Sequence, residues 1–339
     1  MATTTILGYA AGSMGRSLEL YSYKPPKLGE QDVRVSVTHC GVCHTDIQAI
    51  DNYYGYTNFP FVPGHEIVGY VSDIGRSVTE LKEGDRVGIG WQGRSCGHCE
   101  WCEIGEEQLC LGIARMGTWE AHGGFSSSVV VDNRFAYRLP DELPSEVAAP
   151  LMCAGVTVYS ALRPYTAQPA KKLGVVGIGG LGHLAIQFAH ALGHVVTAIS
   201  STPKKKDEAL AFGADDFLVT SDTVSLEHAE FSLDLLLVTA NGGFDWIRII
   251  DLLRKNGTCI LVGFPDLAFN PTDLVAHQVS ITGSFIGNRA TMRDMLSFAQ
   301  EHDIKPMIEL MPITQVNEAL LKVRENKARY RIVLIQDSN

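Results

Sequence analysis

A glycine-rich turn set between a strand and a helix constrains this chain more than any other feature. Gly177-Ile178-Gly179-Gly180-Leu181-Gly182 follows the apolar run 173–176 and opens residues 181–192, where Leu184, Ala185, Phe188 and Leu192 fall at helical spacing. Glycine turns are common, so the pattern alone is weak; between a strand and a helix it reads as a phosphate cradle. The first glycine makes the tight turn, the second lets backbone approach a pyrophosphate, and the third lets helix and strand pack. The helix start adds unpaired N–H groups and a partial positive charge. A plain strand-to-helix turn is the competing reading, and the context on both sides disfavours it.

The alternation continues beyond the cradle. Residues 194–199 read as a strand, 204–212 as a helix, 233–238 as a strand, 244–253 as a helix and 258–262 as a strand. Such alternation means a parallel sheet covered by helices on both faces, the doubly wound α/β class. Before about residue 150 the pattern differs. Short β-branched runs at 33–38, 67–71 and 129–131 are separated by Gly, Pro and Asp turns, as in an irregular, largely antiparallel β-rich domain. The last segment carries helices at 292–299 and 316–323 and a strand at 330–335, and is expected to return to the first domain.

A site for NAD calls for an acid at the end of the second strand to grip the ribose hydroxyls. Here Ile199 is followed by Ser200-Ser201-Thr202-Pro203-Lys204-Lys205-Lys206, and no acid comes before Asp207. Thr202 and Pro203 read as a helix N-cap and first helical residue. Lysines then crowd the positive end of the helix dipole, where cations are disfavoured unless an anion docks. A solvated basic helix start is the bland alternative. The missing acid together with the added hydroxyls and lysines favours the 2′-phosphate of NADP.

Cysteine usage supplies the metal chemistry. Cys96, Cys99 and Cys102 follow C-x-x-C-x-x-C spacing, and Cys110 completes four thiols within one short loop. Four thiolates close a tetrahedral zinc site and leave no position for substrate. Iron–sulfur clusters also take four thiolates, but at other spacings. The acidic loop around them (Glu100, Glu103, Glu106, Glu107) argues against a nucleic-acid zinc module. A second set is dispersed: Cys40-Gly41-Val42-Cys43-His44-Thr45-Asp46, Pro63-Gly64-His65-Glu66, and Cys153. Two thiolates and an imidazole suit zinc and leave a coordination position open. Spacing does not establish that these residues meet, and buried Cys and His residues often only pack.

The composition bounds the rest. A chain of 339 residues, 45% hydrophobic, suits two domains with sizeable cores. With 28 basic against 38 acidic residues the formal charge is −10, which disfavours nucleic-acid and anionic-membrane partners. No apolar run reaches the length of about 18 residues that a spanning helix needs, and the N-terminus lacks a signal-peptide pattern. Eight cysteines in such a chain read as metal or catalytic groups in a reducing, cytoplasmic setting.

Taken together and in order, these motifs resemble the zinc-dependent medium-chain alcohol dehydrogenases, and most closely their cinnamyl-alcohol-dehydrogenase-like, NADP-using branch. The resemblance covers essentially the whole chain. It implies a GroES-like β-rich catalytic domain (residues 1–151 and 291–339, with two zinc sites) and an inserted Rossmann NADP-binding domain (152–290). It also implies two zinc ions per chain, a homodimer, and NADP(H)-linked interconversion of primary alcohols and aldehydes, aromatic or medium-chain, with reduction favoured. By the same resemblance Cys43, His65 and Cys153 are the catalytic zinc ligands, with water, substrate oxygen or Glu66 in the fourth position, and Cys40 is a bystander. Asp46 is the carboxylate that orients a ligand, Thr45 the hydroxyl on the substrate oxygen, and His44 lies near the pyrophosphate. Ser200, Ser201 and Lys205 match 2′-phosphate contacts; Gly263, Ser284 and Ile286 lie where the nicotinamide half is held.

One departure stands out. The branch commonly has histidine three residues after the relay hydroxyl, whereas this chain has Gln48, which does not titrate. Tyr54, Trp91 and Trp119 are candidates for an apolar substrate pocket, or else ordinary core and surface aromatics. Two other readings are disfavoured: an NAD-linked zinc polyol dehydrogenase by the missing acid after Ile199, and a non-catalytic cofactor binder of the same fold by the intact Cys43, His65 and Cys153, since a pure binder needs no open metal site.

Overall fold

The computed structural model describes residues 5–336, apart from residue 56 and residues 118–120, 167–169 and 269–270. The chain forms two compact units. The first comprises Met1–Cys153, Asn288–Gln300 and Lys305–Asn339; the second comprises Ala154–Gly287 and Glu301–Ile304.

In the second unit six parallel strands lie in the spatial order Asp216–Val219, Val195–Ser200, Lys172–Val176, Leu233–Val238, Leu253–Leu261 and Ser280–Gly283. This is the Rossmann order 3-2-1-4-5-6. Its central strands are buried on both faces, which is why Leu173–Val176 and Leu235–Val238 are unbroken apolar runs without alternation. Val176, Ile199, Leu236, Val238, Ile249 and Leu253 share one core cluster. Full burial of each such side chain contributes about 1.5–3 kcal/mol.

Two expected elements are shorter than their pattern. The helix read at 244–253 covers only Trp246–Ile250, because Leu252 and Leu253 enter the core and the next strand already begins at Leu253. The helix read at 204–212 divides into a 3-10 turn, Pro203–Lys205, and an α-helix, Lys206–Ala211. The edge strands Asp216–Val219 and Ser280–Gly283 mix polar with apolar residues, and their exposure explains why no run announced them.

The first unit is built on a seven-stranded sheet. Along it run Ile308–Pro312, Arg331–Ile335, Asp32–Val42, Glu66–Ile74, Arg86–Ile89 and Ala136–Arg138, while Ser128–Asp132 also pairs with Asp32–Val42. All pairings are antiparallel except that of Ile308–Pro312 with Arg331–Ile335. Val33, Val35 and Val37 alternate inward along one strand, and Phe125, Ile67 and Ile332 fill the same core. The C-terminal strand Arg331–Ile335 thus joins the sheet of the N-terminal segment by pairing with Asp32–Val42.

One helical run, Ser145–Tyr165, has the length and apolarity of a membrane span (mean hydropathy 1.3), but 78% of its apolar 18-residue stretch is buried within the molecule. It is a core helix. Pro150 has no N–H to give the helix ladder, and the run passes there into a π-helical turn, Leu151–Gly155, which carries Cys153.

Candidate active site

Strand register explains how distant cysteine and histidine residues meet. Gly41 pairs with Glu66 across antiparallel strands, so the chain leaving one strand at Cys43 runs beside the chain entering the other at His65. A Cβ on Gly41 would lie 1.9 Å from Glu66 Oε2, so glycine there leaves room for the carboxylate. Cys153 joins them from its π turn. The donor atoms of Cys43, His65, Glu66 and Cys153 all lie within 4.8 Å of one another. Cys40 Sγ does not belong to this group; it packs where Gly64 and Gly124 leave space for it.

Asp46 organises the cluster. Cys43 is the N-cap of the helix His44–Ile50, and its backbone N–H donates to Asp46 Oδ2 at 2.9 Å. Asp46 Oδ1 accepts from Gly64 N and from His65 Nδ1, each at 3.0 Å. The carboxylate is fully buried, yet both oxygens are satisfied. With Nδ1–H committed to Asp46, the Nε2 lone pair of His65 faces the cluster, the usual arrangement for a metal-bound imidazole. Gly64 has φ +101°, and a Cβ there would approach Phe125 and Cys40 within 3 Å, so the turn before His65 requires glycine.

The electrostatics favour a cation. The Cys43 thiol is held well below its ordinary range by hydrogen bonding with Cys153, then by His65 and by the charge of Arg331. Burial pushes Glu66 up to about 7, although Arg331 pulls the other way. Arg331, itself buried, donates from Nη2 to Glu66 Oε1. His65 Nε2 and Glu66 Oε2 are buried without a hydrogen-bond partner. Orphaned polar atoms of this kind are rare, because each costs about 1–3 kcal/mol unless something satisfies it. Two thiols, an imidazole and a carboxylate with unspent lone pairs fit zinc.

Thr45 Oγ1 lies 3.7 Å from Cys43 Sγ, at the rim of the cluster. Gln48, one turn on, is buried and accepts a hydrogen bond from Tyr54 Oη at 3.3 Å. Trp91 is buried with the Arg115 guanidinium 5.5 Å from its ring centroid, the environment of a core aromatic. Trp119 lies outside the described residues.

The four-cysteine loop forms a second group. The sulfurs of Cys96, Cys99, Cys102 and Cys110 lie within 4.8 Å of one another, with Cys96 and Cys102 3.9 Å apart. Backbone N–H groups of His98 and Cys99 help bring Cys96 down to about 6, so it titrates readily to the thiolate that a metal takes.

The nucleotide residues gather in the second unit. Gly177 has φ +91°, and a Cβ on Gly182 would lie 1.9 Å from the Gly177 carbonyl oxygen, so both must be glycine. A Cβ on Gly179 meets nothing, leaving backbone open to a ligand. Gly180 and Leu181 complete the turn, half-buried. Thr202 caps the following turn, accepting from Lys204 N at 3.3 Å, with Pro203 as first helical residue. Ser200 is buried and accepts from Thr202 N, Ser201 is exposed, and Lys205 Nζ donates to the Ile178 carbonyl at 2.5 Å. Gly263 sits against the Ala240 carbonyl, Ser284 N donates to Leu261 O, and Ile286 is buried with φ +43°. His44 belongs to the first unit, exposed at the start of its helix. Arg331 escaped the sequence reading; its only signal is one charge heading the otherwise apolar strand Arg331–Ile335.

A Rossmann sheet with an open glycine cradle and a Cys–His–Glu–Cys cluster, its His65 and Glu66 buried and its two cysteines half-buried, define a metal-binding, dinucleotide-using oxidoreductase. Comparison with known proteins names the family. Residues 29–141 match the alcohol dehydrogenase GroES-like domain, and residues 180–301 match the zinc-binding dehydrogenase family. The NADP-dependent alcohol dehydrogenase C 1 of Mycolicibacterium smegmatis is 39% identical, with 98% of each chain covered. Among solved structures, a cinnamyl alcohol dehydrogenase of Sorghum bicolor is 39% identical with TM-score 0.93, covering 98% of each chain. That of Helicobacter pylori, complexed with NADP(H), is 29% identical with TM-score 0.91, again covering 98% of each. The chain therefore belongs to the zinc-dependent medium-chain alcohol dehydrogenases, on the side of the family that contains the cinnamyl alcohol dehydrogenases.

Proposed function

We propose that the protein interconverts primary alcohols and aldehydes with NADP(H), with aldehyde reduction the favoured direction. The observation that carries this reading is the convergence of Cys43, His65, Glu66 and Cys153 within 4.8 Å, with buried His65 Nε2 and Glu66 Oε2 left without partners. Cys43, His65 and Cys153 would hold the catalytic zinc, Glu66 would share its fourth position, and Cys96, Cys99, Cys102 and Cys110 would hold the structural one. When bound, zinc supplies Lewis acidity toward an alcohol or aldehyde oxygen, and the nicotinamide takes or gives the hydride.

The chain's own residues do the rest. Asp46 keeps the proton of His65 on Nδ1, fixing the ring for its role as ligand. Thr45 Oγ1 accepts the substrate hydroxyl proton in oxidation and returns it in reduction. Gln48 does not titrate, so the proton leaves Thr45 through the cofactor ribose or water. Gly179 presents open backbone to the pyrophosphate, and Ser200, Ser201, Thr202 and Lys205 receive the 2′-phosphate, with His44, Gly263, Ser284 and Ile286 serving the remaining cofactor contacts. NADP is supported by the absent acid after Ile199 and by relatives whose names state it. A homodimer in a reducing, cytoplasmic setting completes the proposal; all eight cysteines are free thiols.

The test is a panel of aldehydes and alcohols assayed with NADPH and with NADH at limiting concentration, beside metal analysis. Two zinc ions per chain and a higher kcat/KM with NADPH are expected. Equal kcat/KM for the two coenzymes would overturn the phosphate site, and a single zinc would leave only the structural one.

A further inference from the structure

Little apolar burial anchors the four-cysteine loop. Its outward side chains Ile104, Leu109 and Leu111 are 68%, 40% and 95% exposed, and its helical stretches, Glu100–Glu103 and Glu107–Leu109, are one turn each. Segments this short do not hold helical structure by themselves. The loop is also strongly negative. Four thiolates around a divalent cation leave two net negative charges, and Glu100, Glu103, Glu106 and Glu107 add to them.

Two arginines from outside the loop answer both problems. Arg134 is gripped by Asp132, whose buried carboxylate accepts from its Nε at 3.0 and 3.2 Å and from its Nη2 at 2.7 Å. Held this way, the guanidinium donates from Nη2 to the Ser95 carbonyl at 3.2 Å, one residue before the first cysteine. Its Nη1 lies 3.0 Å from where a Cβ on Gly97 would stand, so the fork presses against the backbone between Cys96 and Cys99. Arg289, from the helix Arg289–Glu301, donates from Nε and Nη2 to Glu107 Oε1, both at 2.6 Å. Glu107 is buried in the middle of the loop, between Cys102 and Cys110. Fully buried Phe135 lies against both cations, with Arg134 6.0 Å and Arg289 5.7 Å from its ring centroid. Asp132 does most to hold Arg134 in its charged form, and Glu107 of the loop adds to it.

We propose that Arg134 and Arg289, set on Phe135, are positioning residues for the four-cysteine metal site, clamping the loop at Ser95 and Glu107 and offsetting its negative charge so that the metal is retained. The inference rests on the reading that these four cysteines hold zinc. A planar, forked cation is needed because Arg134 must serve a carboxylate and a backbone carbonyl at once, which an ammonium group cannot do in the same geometry. Groups that hydrogen-bond metal ligands directly typically account for about 10–100-fold in metal affinity, and arginines that grip the chain beside the ligands are measured against that scale.

The experiment follows zinc transfer from the full-length, zinc-loaded protein to a chromophoric chelator, with total zinc by plasma mass spectrometry. Cys99→Ser identifies the loop's zinc as the ion it loses. If the wild type and Cys99→Ser hold equal zinc, the reading of the loop itself fails. Given a loop zinc, Arg134→Gln should release it about 10–100-fold faster than the wild type, while release of the other zinc is unchanged. Arg289→Gln should accelerate the same phase, and Arg134→Lys should restore retention only in part. A purely structural role would lower the melting temperature and speed both phases together, which overturns the proposal. So would a loop phase at the wild-type rate in Arg134→Gln and Arg289→Gln. Should Arg134→Gln fail to fold, Arg134→Lys and Arg289→Gln decide by the same criteria.

Discussion

Replacing Asp46 with asparagine changes one atom's chemistry and tests how the catalytic cluster is held. Asp46 offers two acceptor oxygens to three donors: Cys43 N on one side, Gly64 N and His65 Nδ1 on the other. Asparagine has one acceptor. If its oxygen faces Gly64 and His65, its NH2 meets the Cys43 N–H, and the helix carrying Thr45 loses its cap. If it turns over, NH2 meets the Gly64 N–H and the His65 ring, which must change tautomer and surrender the Nε2 lone pair. Either way at least one donor is left unpaired in a fully buried site, costing about 1–3 kcal/mol. At 1.4 kcal/mol per tenfold that is about 5–150-fold in zinc affinity or kcat, in line with the losses found when a carboxylate behind a histidine ligand is removed. The assay is chelator competition for the catalytic zinc together with kcat at saturating NADPH, with urea denaturation as a control on the fold. Zinc affinity and kcat both within twofold of the wild type would refute the assignment of Asp46 as the group that orients His65.

Gly182→Ala drives a methyl group into the Gly177 carbonyl, so it should cost about 1–3 kcal/mol of stability and weaken NADPH binding. Gly179→Ala meets no protein atom and should weaken NADPH while leaving the melting temperature unchanged; fluorescence titration and thermal melts separate the two, and a Gly179→Ala enzyme that binds NADPH normally would remove Gly179 from the cradle. Stability should also depend on pH through His122. Burial lowers its pKa from the ordinary 6.5, and its Nδ1 accepts from Val62 N at 3.1 Å, so the folded state needs the neutral ring. The unfolded ring binds a proton as pH falls below 6.5, so this contribution is present above that value and is lost as pH drops toward the folded pKa. Urea denaturation at about pH 7.5 and about pH 5.5 should show the loss, and His122→Gln should shrink it; an unchanged difference would clear His122 of the effect.

What was legible in the sequence was chemistry carried by neighbours. The glycine cradle, the Thr202 cap with Pro203 behind it, and the four-cysteine loop each need only residues close in the chain, and each stands where its spacing put it. The second metal group was legible as residue types but not as a meeting, because its geometry belongs to strand register: only the pairing of Gly41 with Glu66 brings Cys43 beside His65. Arg331 left only a faint local trace, one charge at the head of an apolar strand, because the partner that gives it a role, Glu66, is 265 residues away.

Residues fixed by register depend on the sheet, so a slip of one position in Asp32–Val42 against Glu66–Ile74 would turn Gly41 away from Glu66 and carry Cys43 off the cluster. The buried alternation of Val33, Val35 and Val37 opposes that slip, because it would also expose all three. Core packing far from the metal group therefore sets its coordination geometry. A core substitution such as Val35→Thr leaves every ligand in place, yet it would be expected to reach the chemistry through register rather than through contact, appearing as lost zinc retention before any loss of NADPH binding.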